Sequence, residues 1–357
     1  MSNFVLEIVY RLPISFYVAM CVSFLTCLLI VKTQRWHRIF SLDSSEGIQK
    51  LHQEPTPRIG GLGVFLAVVC AYIFETPDRS SILGPLLLAG FSAFIFGLAE
   101  DLTKQVKIST RLLATILAGV VGWAITGISL SRVGIYLIDP LFKHQGLSVL
   151  FTAIAVGGIA NAINMIDGLN GLASSMMVIA LAAIATIAHS VGDVSLAIAC
   201  LTVSAAVFGF FLVNWPWGKI FLGDSGSYFG GFALAWSCVL LVERNPSISP
   251  FAGLLICIYP FSEALFSIFR RKARSRSPTG PDVQHLHSLI FRRYLSTFQL
   301  QILENSMAGL IVGGLSLPPA ICAFYFRESN FLSFVSVIFS LLGYFAMYSR
   351  VVRFRWF

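Results

Sequence analysis

Stretches of about 20 apolar residues recur from one end of this chain to the other, and no other feature constrains its fold as tightly. A helix rises 1.5 Å per residue, so a run of that length matches the roughly 30 Å hydrocarbon core of a bilayer. Eleven runs are read, near residues 12–31, 59–76, 82–99, 112–129, 147–163, 172–189, 194–214, 227–242, 250–269, 305–326 and 331–349. Lipid offers no water to exposed backbone groups, so each run must satisfy its own hydrogen bonds as a helix. The expected fold class is therefore all-α: a polytopic transmembrane helical bundle of about 11 transmembrane helices, or about 10 on a stricter count. Composition agrees, with 56% hydrophobic and 12% charged residues and a mean hydropathy of +0.80, where a soluble domain carries about 25% charged residues. The first run is read as a span and not as a leader, because no cationic start precedes it and no small-x-small site follows. All seven cysteines fall inside apolar runs without a CxxC pair, which argues against a disulfide framework or a zinc site. Polar stretches reach only about 30 residues, so one domain over 1–357 is expected.

Eleven crossings put the termini on opposite faces, and Lys/Arg asymmetry then assigns the sides. Segments 32–58, 100–111, 215–228, 270–302 and 350–357 share one face and hold 19 of the 25 Lys and Arg residues. The positive-inside rule makes that face cytoplasmic, with the N-terminus outside. Orientation and contact with anionic membrane lipids account for most of the net charge of +8, so no nucleic-acid role is read from it. The same parity gathers four polar clusters, scattered over almost 200 residues of sequence, on the cytoplasmic side.

"NAINMIDGLNGLASS" (161–175) spaces Asn161, Asn164, Asp167 and Asn170 three apart. Such neighbours lie on nearly one helix face, and Gly168 and Gly171 invite the helix to end there. The group reads either as interhelical hydrogen-bonding glue or as a ligand site, since an ionised Asp at bilayer depth costs at least about 2.5–3.5 kcal/mol. "FLGDSGS" (221–227) sets Asp224 among small residues, as an ordinary turn or as a hard oxygen ligand for Mg²⁺, with Asn164 or Asp167 completing the metal set. Glu100, Asp101, Lys104 and Arg111 in "AEDLTKQVKISTR" (99–111) read as a solvated ion-pair cluster or as a patch around phosphates. "DVQHLHSLIFRR" (282–293) carries His285 and His287 beside the basic run of Arg270, Arg271, Lys272, Arg274 and Arg276. Their spacing is unlike a helical zinc pair, and donation to a diphosphate is the functional alternative to a solvated loop.

Together with "TPRIGGLGV" (56–64) and "YPFSEALFSIFRRKARSRSPTGPDVQHLHSLI" (259–290), these motifs resemble the polyprenyl-phosphate N-acetylhexosamine-1-phosphate transferases in order and spacing. The likeness is to the branch that initiates O-antigen and enterobacterial common antigen synthesis. Departures are Glu100 before Asp101 where an Asp pair is usual, Asn170 where many bacterial members have Asp, a His-Leu-His-Ser segment lacking a third His, and Glu263 where the carboxylate is commonly Asp. The resemblance implies a UDP-N-acetylhexosamine donor, an undecaprenyl phosphate acceptor, Mg²⁺ with Mn²⁺ as a substitute, a bacterial inner-membrane location, and a homodimer left open. It places Asp101 and Lys104 toward the lipid phosphate, Asn170 near the uracil, and Arg271, His285 and His287 by the diphosphate or sugar. A phospho-enzyme on Asp167 or Asp101 is the alternative to direct attack. A secondary transporter is the competing class, disfavoured because no internal repeat is found and the carboxylates sit at one face instead of mid-depth.

Overall fold

A computed structural model describes residues 12–43, 55–75, 77–273, 284–295 and 301–353. The helices are α1 (Ile14–Ser41), α2 (Gly60–Ile73), α3 (Pro77–Thr103), α4 (Ile108–Thr126), α5 (Gln145–Ile166), α6 (Leu172–Ser190) and α7 (Val194–Asn214). They continue with α8 (Gly223–Arg244), α9 (Pro250–Ile256), α10 (Ile258–Ala273), α11 (Leu286–Ile290), α12 (Gln301–Gly314), α13 (Leu317–Phe326) and α14 (Asn330–Arg353). One two-residue ribbon interrupts them, β1 (Leu42–Asp43) antiparallel to β2 (Thr56–Pro57), with Leu42 opposite Pro57. The bundle is helical as expected, and its upper span count equals the lower of the two expected counts.

Nine helical stretches among the described residues are long and apolar enough to cross a membrane, or ten if α9 and α10 form one span bent by 79°. The second expected span is only the 14-residue α2, about 21 Å at 1.5 Å per residue. Its apolar run is as long as the others in sequence, but Phe74 and Glu75 close the helix. Within the segments 100–111 and 215–228 expected on the cytoplasmic side, only 104–107 and 215–222 lie outside helices. Glu100 and Asp101 belong to the last turn of α3, Arg111 to the first turn of α4, and Asp224 to the first turn of α8.

The interior is a continuous apolar core with polar side chains set into it, and further apolar side chains cover the outside. Leu88, Leu113, Leu150 and Phe339 are exposed on the outer surface, where only lipid tails would meet them. Lipid is as apolar as leucine, so contacts between these helices depend on close van der Waals fit and polar bonds more than on escape from water. Helix α8 is the axis of the bundle, buried along its spanning length and packed on α2, α3 and α5. Small residues permit that approach: a Cβ on Gly97 of α3 would lie 2.6 Å from the Ser225 backbone, and one on Gly231 would lie 2.7 Å from Ala160 Cα. Phe65 and Phe94 stack at 4.0 Å between ring centroids, with Phe229 of α8 edge-on to Phe65. At one end of the bundle the chain leaves α3, α5 and α7 and enters α4, α6 and α8, so the polar motifs meet there.

Candidate active site

The site is assembled at the N-terminus of α8, where backbone N–H groups without an intrahelical acceptor and the helix dipole favour negative charge. Gly223 opens that helix with φ +75°, and a Cβ there would collide with the Arg58 carbonyl and lie 2.6 Å from Asp101 Oδ2. Asp101 is completely buried and accepts from Asp224 N at 2.8 Å, Ser225 N at 2.9 Å and Ser225 Oγ at 2.7 Å. The reading that put Asp101 against a lipid phosphate therefore needs correction: its oxygens are used inside the protein. Asp101 lies beneath the site and orients the residue that faces it.

That residue is Asp224, 1% exposed on its side chain. Its carboxylate accepts from Arg58 and Arg111, and from Asn164 Nδ2 at 3.1 Å. Arg58 arrives because the chain after β2 is clasped to the entry of α8, with Phe221 N on Pro57 O at 2.8 Å, Gly60 N on Phe221 O at 2.9 Å and Gly61 N on Leu222 O at 2.8 Å. Its Nε also stands 3.5 Å from Asp101 Oδ1. Arg111 lies 3.8 Å from Glu100 Oε1, and its Nε is buried without a hydrogen-bond partner among the described residues. Glu100 Oε2 accepts from Val106 N at 2.8 Å, which closes the short turn between α3 and α4. Lys104 occupies that turn, exposed and at φ 56°.

The four polar residues spaced by three divide into two pairs. Asn161 Nδ2 donates to Thr115 Oγ1 and Gly157 O, each at 2.8 Å, and so ties α5 to α4. Asn164, one turn on, reaches Asp224 and accepts from Tyr228 OH at 3.4 Å. Asp167 follows the last residue of α5 and accepts from Ser227 Oγ at 3.3 Å. Burial pushes the Asp167 carboxyl up to about 7, against the lowering influence of Arg58 and Ser227. Asn170 turns away: its N–H donates to Asn305 Oδ1 at 2.8 Å and its Nδ2 to Ser306 Oγ at 3.1 Å, while Asn214 Oδ1 accepts from Gly171 N. The structure thus binds Asn170 to α12 and not to the Asp224 cluster.

The histidine segment reaches the same end of the bundle. His285 Nδ1 is 3.0 Å from Glu263 Oε1, and the rings of His285 and His287 are parallel with centroids 5.5 Å apart. A Cβ on Gly168 would lie 2.7 Å from His287 Nε2, so this ring rests on Gly168, the residue that follows Asp167. Arg271, on α10, is buried. Arg274 and Arg276, with Asp282 and Val283 at the start of the histidine segment, lie outside the described residues.

A buried carboxylate held by two guanidiniums, with a second carboxylate alongside, gathers charge at one end of the bundle, and comparison with known proteins identifies the family. The model of glycosyl transferase family 4 matches residues 83–242. A probable undecaprenyl-phosphate N-acetylglucosaminyl 1-phosphate transferase of Bacillus subtilis (strain 168) is 28% identical over 298 residues, 82% of each chain. The undecaprenyl-phosphate alpha-N-acetylglucosaminyl 1-phosphate transferase of Escherichia coli (strain K12) is 30% identical over 272 residues, 74% of this chain and 72% of the relative. Its Yersinia pestis counterpart is 29% identical over 269 residues, 74% and 73%. The chain belongs to glycosyl transferase family 4.

Within the family-4 match fall Glu100, Asp101, Lys104, Arg111, Asn164, Asp167, Asn170 and Asp224, whereas Arg58, Glu263, Arg271, His285 and His287 lie outside it. Arg58 carried no signal of its own in the sequence. Only its place in "TPRIGG", a short loop that the bundle must hold, singles it out, and its partner stands 166 residues away. As a holder of a divalent ion, this family-4 site offers hard oxygens: Asp224, Asp167 and Asn164 Oδ1. No group of three or more His, Cys, Asp or Glu residues that could hold a metal occurs among the described residues. A sparse oxygen set suits Mg²⁺, which keeps waters and substrate phosphates in its shell.

Proposed function

We propose that this family-4 enzyme transfers N-acetylhexosamine 1-phosphate from a UDP-sugar to undecaprenyl phosphate, releasing UMP and beginning a cell-surface polysaccharide such as O-antigen. The carrying observation is the convergence of Arg58, Arg111 and Asn164 on Asp224, with Asp167 held beside them by Ser227, from four separate segments. The names of the relatives, with their acceptor and their 1-phosphate, support the substrate class. The relatives are bacterial and the chain has many apolar spans, which supports a multi-pass cytoplasmic membrane protein. Charge asymmetry supports a site facing the cytoplasm.

The chemistry exchanges one phosphoanhydride for another, so no further energy source is needed. The lipid phosphate has a second pKa of about 6 and is largely dianionic at pH 7, so a strong general base is dispensable. The obstacle is repulsion, about 4 kcal/mol for each pair of unit charges 4 Å apart at an effective dielectric of 20. Arg58 and Arg111 meet it by turning guanidinium donors from Asp224 to phosphate oxygens, a geometry that arginine matches bidentately. The open Nε of Arg111 supplies one such donor. Asp224, Asp167 and Asn164 would hold Mg²⁺, or Mn²⁺ in its place, which when bound neutralises charge developing on the diphosphate. Direct attack by the lipid phosphate is the favoured route; a phospho-enzyme on Asp101 is opposed by the donors that occupy its oxygens, and labelled phospho-protein trapped with UDP-sugar alone would establish the route through Asp167 instead. Purified protein in detergent, given undecaprenyl phosphate, Mg²⁺ and a panel of UDP-sugars, should release UMP without sealed vesicles. Release that needs a vesicle gradient, or none with any UDP-sugar, refutes the proposal.

A further inference from the structure

Glu263 stands apart from the Asp224 cluster, yet its burial is complete and its bonds are specific. On α10 its Oε1 accepts from His285 Nδ1 at 3.0 Å and from Leu286 N at 3.0 Å, and Oε2 lies 3.3 Å from the same Leu286 N. A carboxylate can only accept, so the shared proton sits on His285 Nδ1, and Nε2 is left for other work. Leu286 is the first residue of α11, which has no side-chain cap of its own. Glu263 satisfies that open N–H and so fixes where the short helix begins.

A second anchor stands two turns along the same helix. Arg270 Nη1 donates to Gln284 O at 2.9 Å and contacts Tyr348 OH at 2.9 Å, and Tyr348 OH donates to the same carbonyl at 3.1 Å. Glu263 and Arg270 are seven residues apart, so one face of α10 presents both. Between them they hold residues 284–286 from either side of one peptide run. The next ring is His287, buried, parallel to His285 and seated on Gly168. Gly168 adjoins Asp167, so the chain of contacts runs from Glu263 through His285 and His287 to the site. At metal-ligating histidines, loss of such an outer partner costs about 10–100-fold in metal affinity or activity, which sets the scale expected for a positioned histidine.

We propose that Glu263 is a positioning residue of the transferase site, acting through His285 to set His287 over the Asp167–Gly168 backbone where the donor's diphosphate and sugar bind. This inference rests on the transferase reading. Glu263→Gln keeps one oxygen for His285 and Leu286 but sets an amide NH2 against the Leu286 N–H and removes the negative charge that holds the proton on His285 Nδ1, which loosens the segment. Its KM for UDP-N-acetylglucosamine should rise about tenfold or more, with the undecaprenyl phosphate KM unchanged within about twofold. Combined with His287→Ala it should cost little beyond His287→Ala alone, since removal of the positioned group makes its positioner irrelevant. Gly168→Ala, which drives a Cβ into the His287 ring, should raise the same KM with Glu263 intact. Independent of turnover, ¹⁵N-histidine spectra in detergent should show the Nδ1–H form for His285 in the wild type, with both His285 and His287 signals displaced in Glu263→Gln. Additive losses, equal effects on both substrates, or unmoved His287 signals overturn the inference. A wild type that does not turn over any UDP-sugar refutes the transferase reading instead, and the spectra then decide Glu263 alone.

Discussion

Two carboxylate–arginine pairs mark the two ends of the bundle, and their difference separates a structural bond from a site. At the far end Asp193 accepts from Arg244 Nε at 2.7 Å and Nη2 at 2.9 Å, caps α7 through Leu196 N at 3.2 Å, and takes Asn245 Nδ2 at 3.3 Å. One planar fork meets one carboxylate there, and the Arg244 side chain is 36% exposed. At the site end Asp224 is nearly inaccessible, two guanidiniums compete for its oxygens, and Asp167 stands near with one hydroxyl donor. The first arrangement is complete in itself. The second holds more cationic donors on one carboxylate than it needs, and more carboxylate nearby than it can balance, which suits a place where charged ligands come and go.

Removal of Asp224 should break that contrast most severely. Asp224→Asn is expected to lower turnover by about 10³-fold with normal yield of folded protein, a loss typical of groups acting on transition-state charge. Near-normal UMP release from that variant would dissolve the distinction between the two ends. Asp101→Ala should follow: it orphans three donors at the head of α8, at about 1–3 kcal/mol for each buried group left unsatisfied. Lowered thermal stability together with lost activity is the expected pattern, and activity loss at full stability would return Asp101 to the substrate.

Arg58→Gln should cost roughly 10–100-fold in turnover, and it should tighten Mn²⁺ binding measured by EPR without donor, because a competing cation has left Asp224. Within the three-residue spacing, Asn164→Ala should impair activity by about tenfold or more, whereas Asn161→Ala should lower stability by about 1 kcal/mol and leave turnover near normal. Equal effects of the two on turnover would erase the division between site and scaffold.

The smallest effect belongs to the far end, where Asp193→Asn should cost about 1 kcal/mol or less, given the exposure of its partner. Burial raises the Asp193 carboxyl, but the hydrogen bonds from Arg244, Leu196 and Asn245 outweigh it, so the carboxyl is held below its ordinary value. A carboxylate lowered on folding contributes its stability above the unfolded value of about 3.9 and loses it as pH falls through the folded one. The melting gap between wild type and Asp193→Asn should therefore be level from about pH 5 to 8 and close below about pH 4. A gap that widens in acid would show that the pair is not the source of the effect.

The sequence by itself determined a helical membrane bundle and a common end for its polar motifs, because run length and helix parity are properties of the chain alone. It also marked Asp224, Asn164 and Asp167, since polar groups among apolar neighbours need a reason to be there. Spacing, however, tells which side chains share a helix face and not what stands opposite. Only the tertiary structure decided that Asn161 bonds to α4 and Asn170 to α12, that Asp101 lies under Asp224, that Arg58 reaches Asp224, and that Glu263 accepts from His285. Apart from the local bond of Asn161 to Gly157, the partners of these groups lie 22 to 166 residues away in the chain. A buried carboxylate takes its meaning from the donors that surround it, and packing alone brings those donors together.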